Sequence, residues 1–240
     1  MSSCGPKDVD RIGEAQACLN EAGSDQVDGC LEKISGVNSV GADTLRCSGY
    51  FQREGILSAS TVIAAFASLS EQGASTRDRF AGFMSLVTFS KSAPNWTLSE
   101  SRALETFDMC VQSQGKATTF IAALSVLSGA IISYGYQSGE TINFGSPSQI
   151  ETSVTNSLVR LGLDLAEPPV PGAVVGVTNL AVTALTNIGT AILKSYQVSC
   201  VVQNPVDQTS CTQFSQAISN AGTGASPQKI AEEFLRLLAA

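Results

Sequence analysis

The spacing of the cysteine residues restricts the folds open to this chain of 240 residues more than any other feature of its sequence. The seven cysteines are Cys4, Cys18, Cys30, Cys47, Cys110, Cys200 and Cys211. Cys200 and Cys211 lie at nearly equal distances from a turn at Pro205, where the proline ends one helix and Asp207 can cap the next. Residues at equal distances from the bend of a helical hairpin lie side by side, so their Cα atoms can approach to the roughly 5.5 Å of a disulfide. The spacing therefore predicts a hairpin closed by Cys200 and Cys211.

Two pairings remain open among the next four cysteines. Cys18 and Cys30 are symmetric about a turn at residues 23–25, and Cys30 and Cys47 are symmetric about residues 36–41. Either Cys18 pairs with Cys30 and Cys47 with Cys110, which we favour, or Cys30 pairs with Cys47 and Cys18 with Cys110. Each bridge of this size contributes on the order of 3 kcal/mol by restricting the unfolded chain. Three disulfides predict that the protein resides in an oxidising compartment.

The sequence around the seventh cysteine, Cys4, predicts a different role for this residue. It stands in the sequence MSSCG, where two small residues precede a cysteine followed by glycine. This pattern resembles the end of a bacterial lipoprotein signal, in which the cysteine becomes the acylated first residue of the mature chain. The resemblance covers four residues. It implies a flexible tail at residues 1–6, a lipid anchor on Cys4, and export to the bacterial periplasm or the outer membrane.

The distribution of apolar residues predicts an all-α fold. Apolar positions recur at intervals of three and four, and no clear run alternates in the manner of a strand. We expect a multi-helix bundle or array of about ten helices with helical hairpins, stapled by disulfides. Residues 7–240 are predicted to form one helical domain, with a charged, cysteine-rich part at 7–113 and a charge-poor part at 114–240. Ser75 with Asp78, and Thr97 with Glu100, predict two helix-capping pairs.

Two segments, 117–139 and 168–193, carry no charge, and each is long enough to cross a bilayer. The favoured interpretation makes them central helices of a soluble bundle, because small residues such as Ser125 and Gly129 allow close helix packing. A second interpretation adds a groove for an apolar or lipid-like ligand. A third inserts both segments into a membrane, which resembles the behaviour of α-helical pore formers. The candidate groove residues are Asn179, Thr183, Asn187, Ser125 and Gly129.

The sequence offers little material for catalysis. It contains no histidine, which removes the commonest general base and a common metal ligand. No phosphate-binding signature is present, so we predict no catalytic residue, metal site or cofactor. The net charge of −7 and the lack of a lysine and arginine cluster argue against a nucleic-acid partner. The expected function is that of a non-catalytic bacterial cell-envelope lipoprotein, structural or protein-binding, whose partner is an envelope protein or an apolar small molecule.

Overall fold

The computed structural model describes residues 6–56, 59–69, 73–90, 95–166, 179–201 and 207–239. Within these ranges the chain forms eleven α-helices and no strand, which confirms the predicted all-α multi-helix fold. The helices are α1 (Pro6–Glu21), α2 (Val27–Glu32), α3 (Val40–Arg53), α4 (Ala59–Leu69), α5 (Thr76–Val87), α6 (Trp96–Gln112), α7 (Lys116–Gln137), α8 (Pro147–Ala166), α9 (Asn179–Ser195), α10 (Gln208–Ala221) and α11 (Pro227–Ala239). A π-helical turn, Tyr196–Cys200, continues α9.

Helix α7 lies at the centre of the larger hydrophobic core and contacts α5, α6, α8 and α9. Every residue from Thr119 to Ser133 is buried, so no face of this stretch meets water. A charged side chain there would lose its hydration without compensation, which explains why the segment contains none. Within the described ranges α7 is the one helix long and apolar enough to cross a membrane, and 83% of its apolar window is buried inside the protein. Its composition is that of a central bundle helix.

A run of phenylalanine rings connects α7 to the C-terminal helices. Phe120 of α7 lies 6.1 Å from Phe214 of α10, measured between ring centroids. Phe214 packs against Phe234 of α11 at 5.4 Å, and Phe234 against Phe80 of α5 at 5.7 Å. These four rings are fully buried. The apolar side of α11 thus faces the larger core.

Helices α1 and α2 enclose a second, smaller core together with one side of α3. Helix α3 also supplies Cys47 and Phe51 to the larger core, so it belongs to both. At its end, Arg53 is only 5% exposed and pairs with Asp28 at 2.9 Å and with Glu105 at 3.6 Å. Arg53 therefore connects the smaller core to α6 through charge.

All six expected cysteines form disulfides, and the favoured pairing is confirmed. The bridges, with their Cα–Cα distances, are Cys18–Cys30 (5.5 Å), Cys47–Cys110 (4.9 Å) and Cys200–Cys211 (5.4 Å). The first closes the α1–α2 hairpin, the second joins α3 to α6, and the third joins the π-helical turn to α10. Disulfides of this number indicate an oxidising, exported environment. Cys4 lies outside the described residues.

One of the two predicted capping pairs is confirmed and the other is wrong. Ser75 Oγ accepts from the backbone N–H of Asp78 at 3.1 Å and donates to Asp78 Oδ2 at 2.7 Å. Thr97 does not begin α6, because Asn95 caps the helix two residues earlier, its Oδ1 accepting from the N–H of Leu98 at 3.0 Å. Glu100 consequently lies in the second turn of α6, where its side chain is directed to neighbouring helices.

Candidate functional site

A half-buried carboxyl group lies where α6, α7 and α9 meet. Asn187 Nδ2 of α9 donates to Glu100 Oε1 at 3.4 Å. The hydroxyl of Ser133 in α7 hydrogen-bonds to the same carboxyl group. Gln137 Nε2, one turn further along α7, donates to Ser133 Oγ at 3.0 Å. A chain of uncharged hydrogen-bonding groups from three helices therefore ends on Glu100.

Gly129 allows α6 to come close enough for this arrangement. A Cβ atom at Gly129 would lie 3.1 Å from Glu100 Cα and 3.4 Å from Glu100 N. Contacts this short with backbone atoms would push the two helices apart. The missing side chain at Gly129 thus places the backbone of Glu100 directly against α7.

The electrostatic surroundings of Glu100 differ from those of the buried Arg53. Burial raises the pKa of the Glu100 carboxyl, while the hydrogen bonds from Asn187 and Ser133 act in the opposite direction. Within the part of the chain that the structure describes, no lysine or arginine forms an ion pair with Glu100. Arg53, by contrast, has three carboxylate neighbours. Glu100 therefore presents a negative charge stabilised only by dipoles.

Two aromatic rings lie one helical turn from this carboxyl group. The centroids of Trp96 and Tyr136 are 5.2 Å apart, with an angle of 32° between the ring planes. Trp96 precedes Glu100 by four residues on α6, and Tyr136 follows Ser133 by three on α7, so each ring shares a face with its polar neighbour. We call these five residues, Trp96, Glu100, Ser133, Tyr136 and Asn187, the Glu100 site.

Three exposed apolar side chains lie at this end of the bundle, and one of them belongs to the Glu100 site. Tyr136 is 53% exposed, Leu98 of α6 is 43% exposed and Val182 of α9 is 41% exposed. Leu98 is two residues from Glu100 and Val182 is five residues from Asn187, spacings that put each on a different side of its helix from its polar neighbour. Of these three side chains, Tyr136 is therefore the one that lies beside the carboxyl group.

The structure brings together two of the five residues predicted to line a groove. Gly129 and Asn187 both adjoin Glu100. Ser125 is buried and its hydroxyl donates to the backbone oxygen of Ile121 at 3.1 Å, while Thr183 is exposed. Asn179 begins α9, and its side chain lies outside what the structure describes. The apolar-ligand groove remains a prediction.

An apolar void occurs at a different place, between α4, α5 and α7. Its lining includes Ala65, Phe66, Phe83, Val87 and Ile121. The void is too narrow to hold a water molecule. It shares no residue with the Glu100 site or with the predicted groove.

Sequence reasoning missed Glu100 because it was assigned to a capping box. A signal was nevertheless present: Leu104, Phe107 and Val111 share one face of α6. Extending that face towards the N-terminus by steps of four reaches Glu100 and then Trp96. A carboxyl group in line with an apolar face becomes partly buried when that face packs, as Glu100 does.

Comparisons of this chain with protein-family models, with curated proteins and with solved structures find no match.

Proposed function

We propose that this protein is a non-catalytic, exported component of the bacterial cell envelope that acts as a structural or protein-interaction module. The observation that carries the proposal is the set of three disulfides, which hold six of the seven cysteines. Such a set persists in the periplasm and at the cell surface and is rare where thiols are kept reduced.

The seventh cysteine supports attachment to a membrane. Cys4 follows two serines and precedes a glycine, as at an acylated lipoprotein terminus. We propose that Cys4 carries a lipid and that the helical body is held near the membrane surface through it. A single acyl chain binds a membrane reversibly, and additional acyl chains on the same residue strengthen that attachment.

The chemistry of the Glu100 site supports binding in preference to catalysis. The carboxyl group is hydrogen-bonded by an amide and a hydroxyl, and neither of these groups titrates near neutral pH. General acid–base catalysis uses groups whose pKa values lie near the working pH, and histidine, the commonest of them, is absent from the sequence. Tyr136 is 53% exposed beside this carboxyl group, so the site can be reached by another protein.

The proposal is tested by intact-mass measurement of the protein taken from its native compartment and alkylated in denaturant without reductant. We expect no alkylated thiol and a mass increase from acyl groups on Cys4, which the Cys4→Ser variant loses. One alkylated thiol without added lipid would keep the export proposal and remove the lipid anchor. Two or more alkylated thiols would contradict the exported, disulfide-stapled protein as a whole.

A further inference from the structure

Helices α1 and α3 run side by side in the same direction, so both begin at one end of the smaller core. Near their starts, a Cβ atom at Gly41 would lie 3.7 Å from Cδ1 of Ile12. Near their ends, Gln52 Nε2 donates to the backbone oxygen of Leu19 at 2.9 Å. We call the starts of the two helices, residues 7–10 and 40–41, the α1–α3 end.

Two exposed apolar side chains belong to the α1–α3 end. Val9 is 58% exposed, and Val40, the first residue of α3, is 53% exposed. In an α-helix the Cα–Cβ bonds are tilted towards the N-terminus, and both helices have their N-terminus at this end. Both valines therefore lean towards the surface that lies beyond the two helix starts.

The charges of the α1–α3 end are balanced. The first turns of α1 carry two acidic and two basic side chains, Lys7, Asp8, Asp10 and Arg11. Asp8 and Arg11 of this set form an ion pair at 4.0 Å. A surface with such a balance has little net attraction to anionic lipids, so the valines are what it offers to a membrane.

The proposed lipid anchor identifies a bilayer as the partner that covers this end. Cys4 precedes Pro6, the first residue of α1, by two residues, and two residues of extended chain span at most about 7 Å. The headgroup layer on each side of a bilayer is about 5–7 Å thick. Acyl chains on Cys4 would therefore hold the start of α1 at the headgroup layer, whatever angle the helix makes with the membrane.

We propose that the α1–α3 end lies against a phospholipid bilayer, with Val9 and Val40 in contact with the headgroup layer beside the acyl chains of Cys4. The two valines add apolar contact to the attachment that the acyl chains provide. This inference rests on the lipid anchor of the proposed function and adds which surface of the folded body the membrane covers.

Vesicle binding with a single acyl chain tests the proposal. The three disulfides take up every cysteine except Cys4, so hexadecyl maleimide added to oxidised protein made without a natural lipid labels Cys4 alone. One acyl chain binds reversibly, which makes small changes in affinity for phosphatidylcholine vesicles measurable by sedimentation. We expect the Val9→Ser, Val40→Ser double variant to bind about tenfold more weakly, because each serine removes apolar area that the membrane would cover.

The matched control is the Ile63→Ser, Val201→Ser double variant. Ile63 of α4 is 69% exposed, and Val201, which follows the π-helical turn, is 63% exposed. The control should change binding by no more than roughly twofold, since neither residue belongs to the α1–α3 end. Adding phosphatidylglycerol to the vesicles should also change wild-type binding by no more than roughly twofold, because the charges are balanced. Circular dichroism melting curves check that each variant is folded.

Tryptophan fluorescence gives a second measurement of the contact. Trp96 is the only tryptophan in the sequence, so Trp96→Phe provides a background in which a single new tryptophan reports its own surroundings. In that background, the tryptophan introduced by Val9→Trp should be quenched by lipids that carry bromine on their acyl chains near the headgroups. The tryptophan introduced by Ile63→Trp should not be quenched.

Four results would overturn the inference. They are unchanged binding when both valines are replaced, equal losses in the two double variants, binding that depends on phosphatidylglycerol instead of the valines, and equal quenching at positions 9 and 63. Because the hexadecyl chain is attached chemically, none of these results depends on natural acylation. A native protein without lipid on Cys4 would remove the anchor and this inference with it, whereas failure of the vesicle experiment with a native lipid present would remove the bilayer contact alone.

Discussion

At the scale of single residues, the burial of Glu100 makes the stability of the folded protein depend on pH. Its pKa is raised in the folded protein, so the folded state holds the proton more tightly than the unfolded state. The contribution of this group to stability is therefore fully present below the ordinary pKa of a glutamate and is lost as the pH rises through the raised value.

We expect Glu100→Gln to match the wild type in acid and to become the more stable protein as the pH rises, because glutamine resembles the protonated carboxyl. Melting temperatures measured from pH 3 to pH 8 would show this difference growing and then levelling. Glu32→Gln, which removes an exposed carboxyl from α2, serves as the control. A difference for Glu100→Gln that shrinks as the pH rises would contradict the assignment.

Replacing a helical glycine with alanine should have opposite effects on the free energy of unfolding at Gly189 and at Gly13. A Cβ atom at Gly189 of α9 would overlap the carbonyl oxygen of Pro227 and lie 2.8 Å from its Cα. We expect Gly189→Ala to lower the free energy of unfolding by at least about 2 kcal/mol, since backbone atoms at the start of α11 cannot move aside cheaply. Gly13→Ala, exposed in α1 with no atom nearby, should raise it by about 0.5–1 kcal/mol. The free energies of unfolding of both variants, measured in urea, test these expectations. Similar changes in the two variants would refute the packing argument.

At the scale of helices, the three disulfides contribute unequally because they close loops of different length. Cys47 and Cys110 are 63 residues apart, whereas the other two pairs are 12 and 11 residues apart. Replacing both cysteines of the long loop with alanine should cost about 4 kcal/mol, against about 3 kcal/mol for each short loop. Free energies of unfolding from chemical denaturation test this order. A larger loss for either short loop would show that native contacts, and not the unfolded chain, determine the contribution.

The helical elements differ in how far their local sequence determines them. The hairpin disulfides could be predicted because Cys18 and Cys30, and likewise Cys200 and Cys211, are symmetric about a nearby turn. The start of α6 was misplaced because Asn95 and Thr97 are both good N-cap residues, and the choice depends on which side of the helix packs inward. The apolar face of α6 pointed to Glu100, but its partners could not be predicted, since Asn187 lies 87 residues from Glu100 and meets it only after three helices have packed.

At the scale of the whole molecule, the burial of α7 predicts how the protein behaves towards membranes. Insertion would require α7 to leave its contacts with α5, α6, α8 and α9. Dye-filled vesicles of phosphatidylcholine and phosphatidylglycerol should therefore stay sealed at neutral pH when the oxidised protein is added, with detergent releasing the dye as the control. Release of dye by the folded protein would favour the pore-forming interpretation over the central-helix one.

The disulfide between α3 and α6 also defines how the molecule carries mechanical load. A pull applied at residue 6 and opposed at the C-terminal end passes from Cys47 to Cys110 through the sulfur atoms, so α4 and α5 bear none of the tension. The 63-residue separation removes about 200 Å from the length to which the oxidised chain can be drawn out. In a body fastened by its N-terminus to a moving surface, those two helices would carry no tension while the parts outside the loop are stretched.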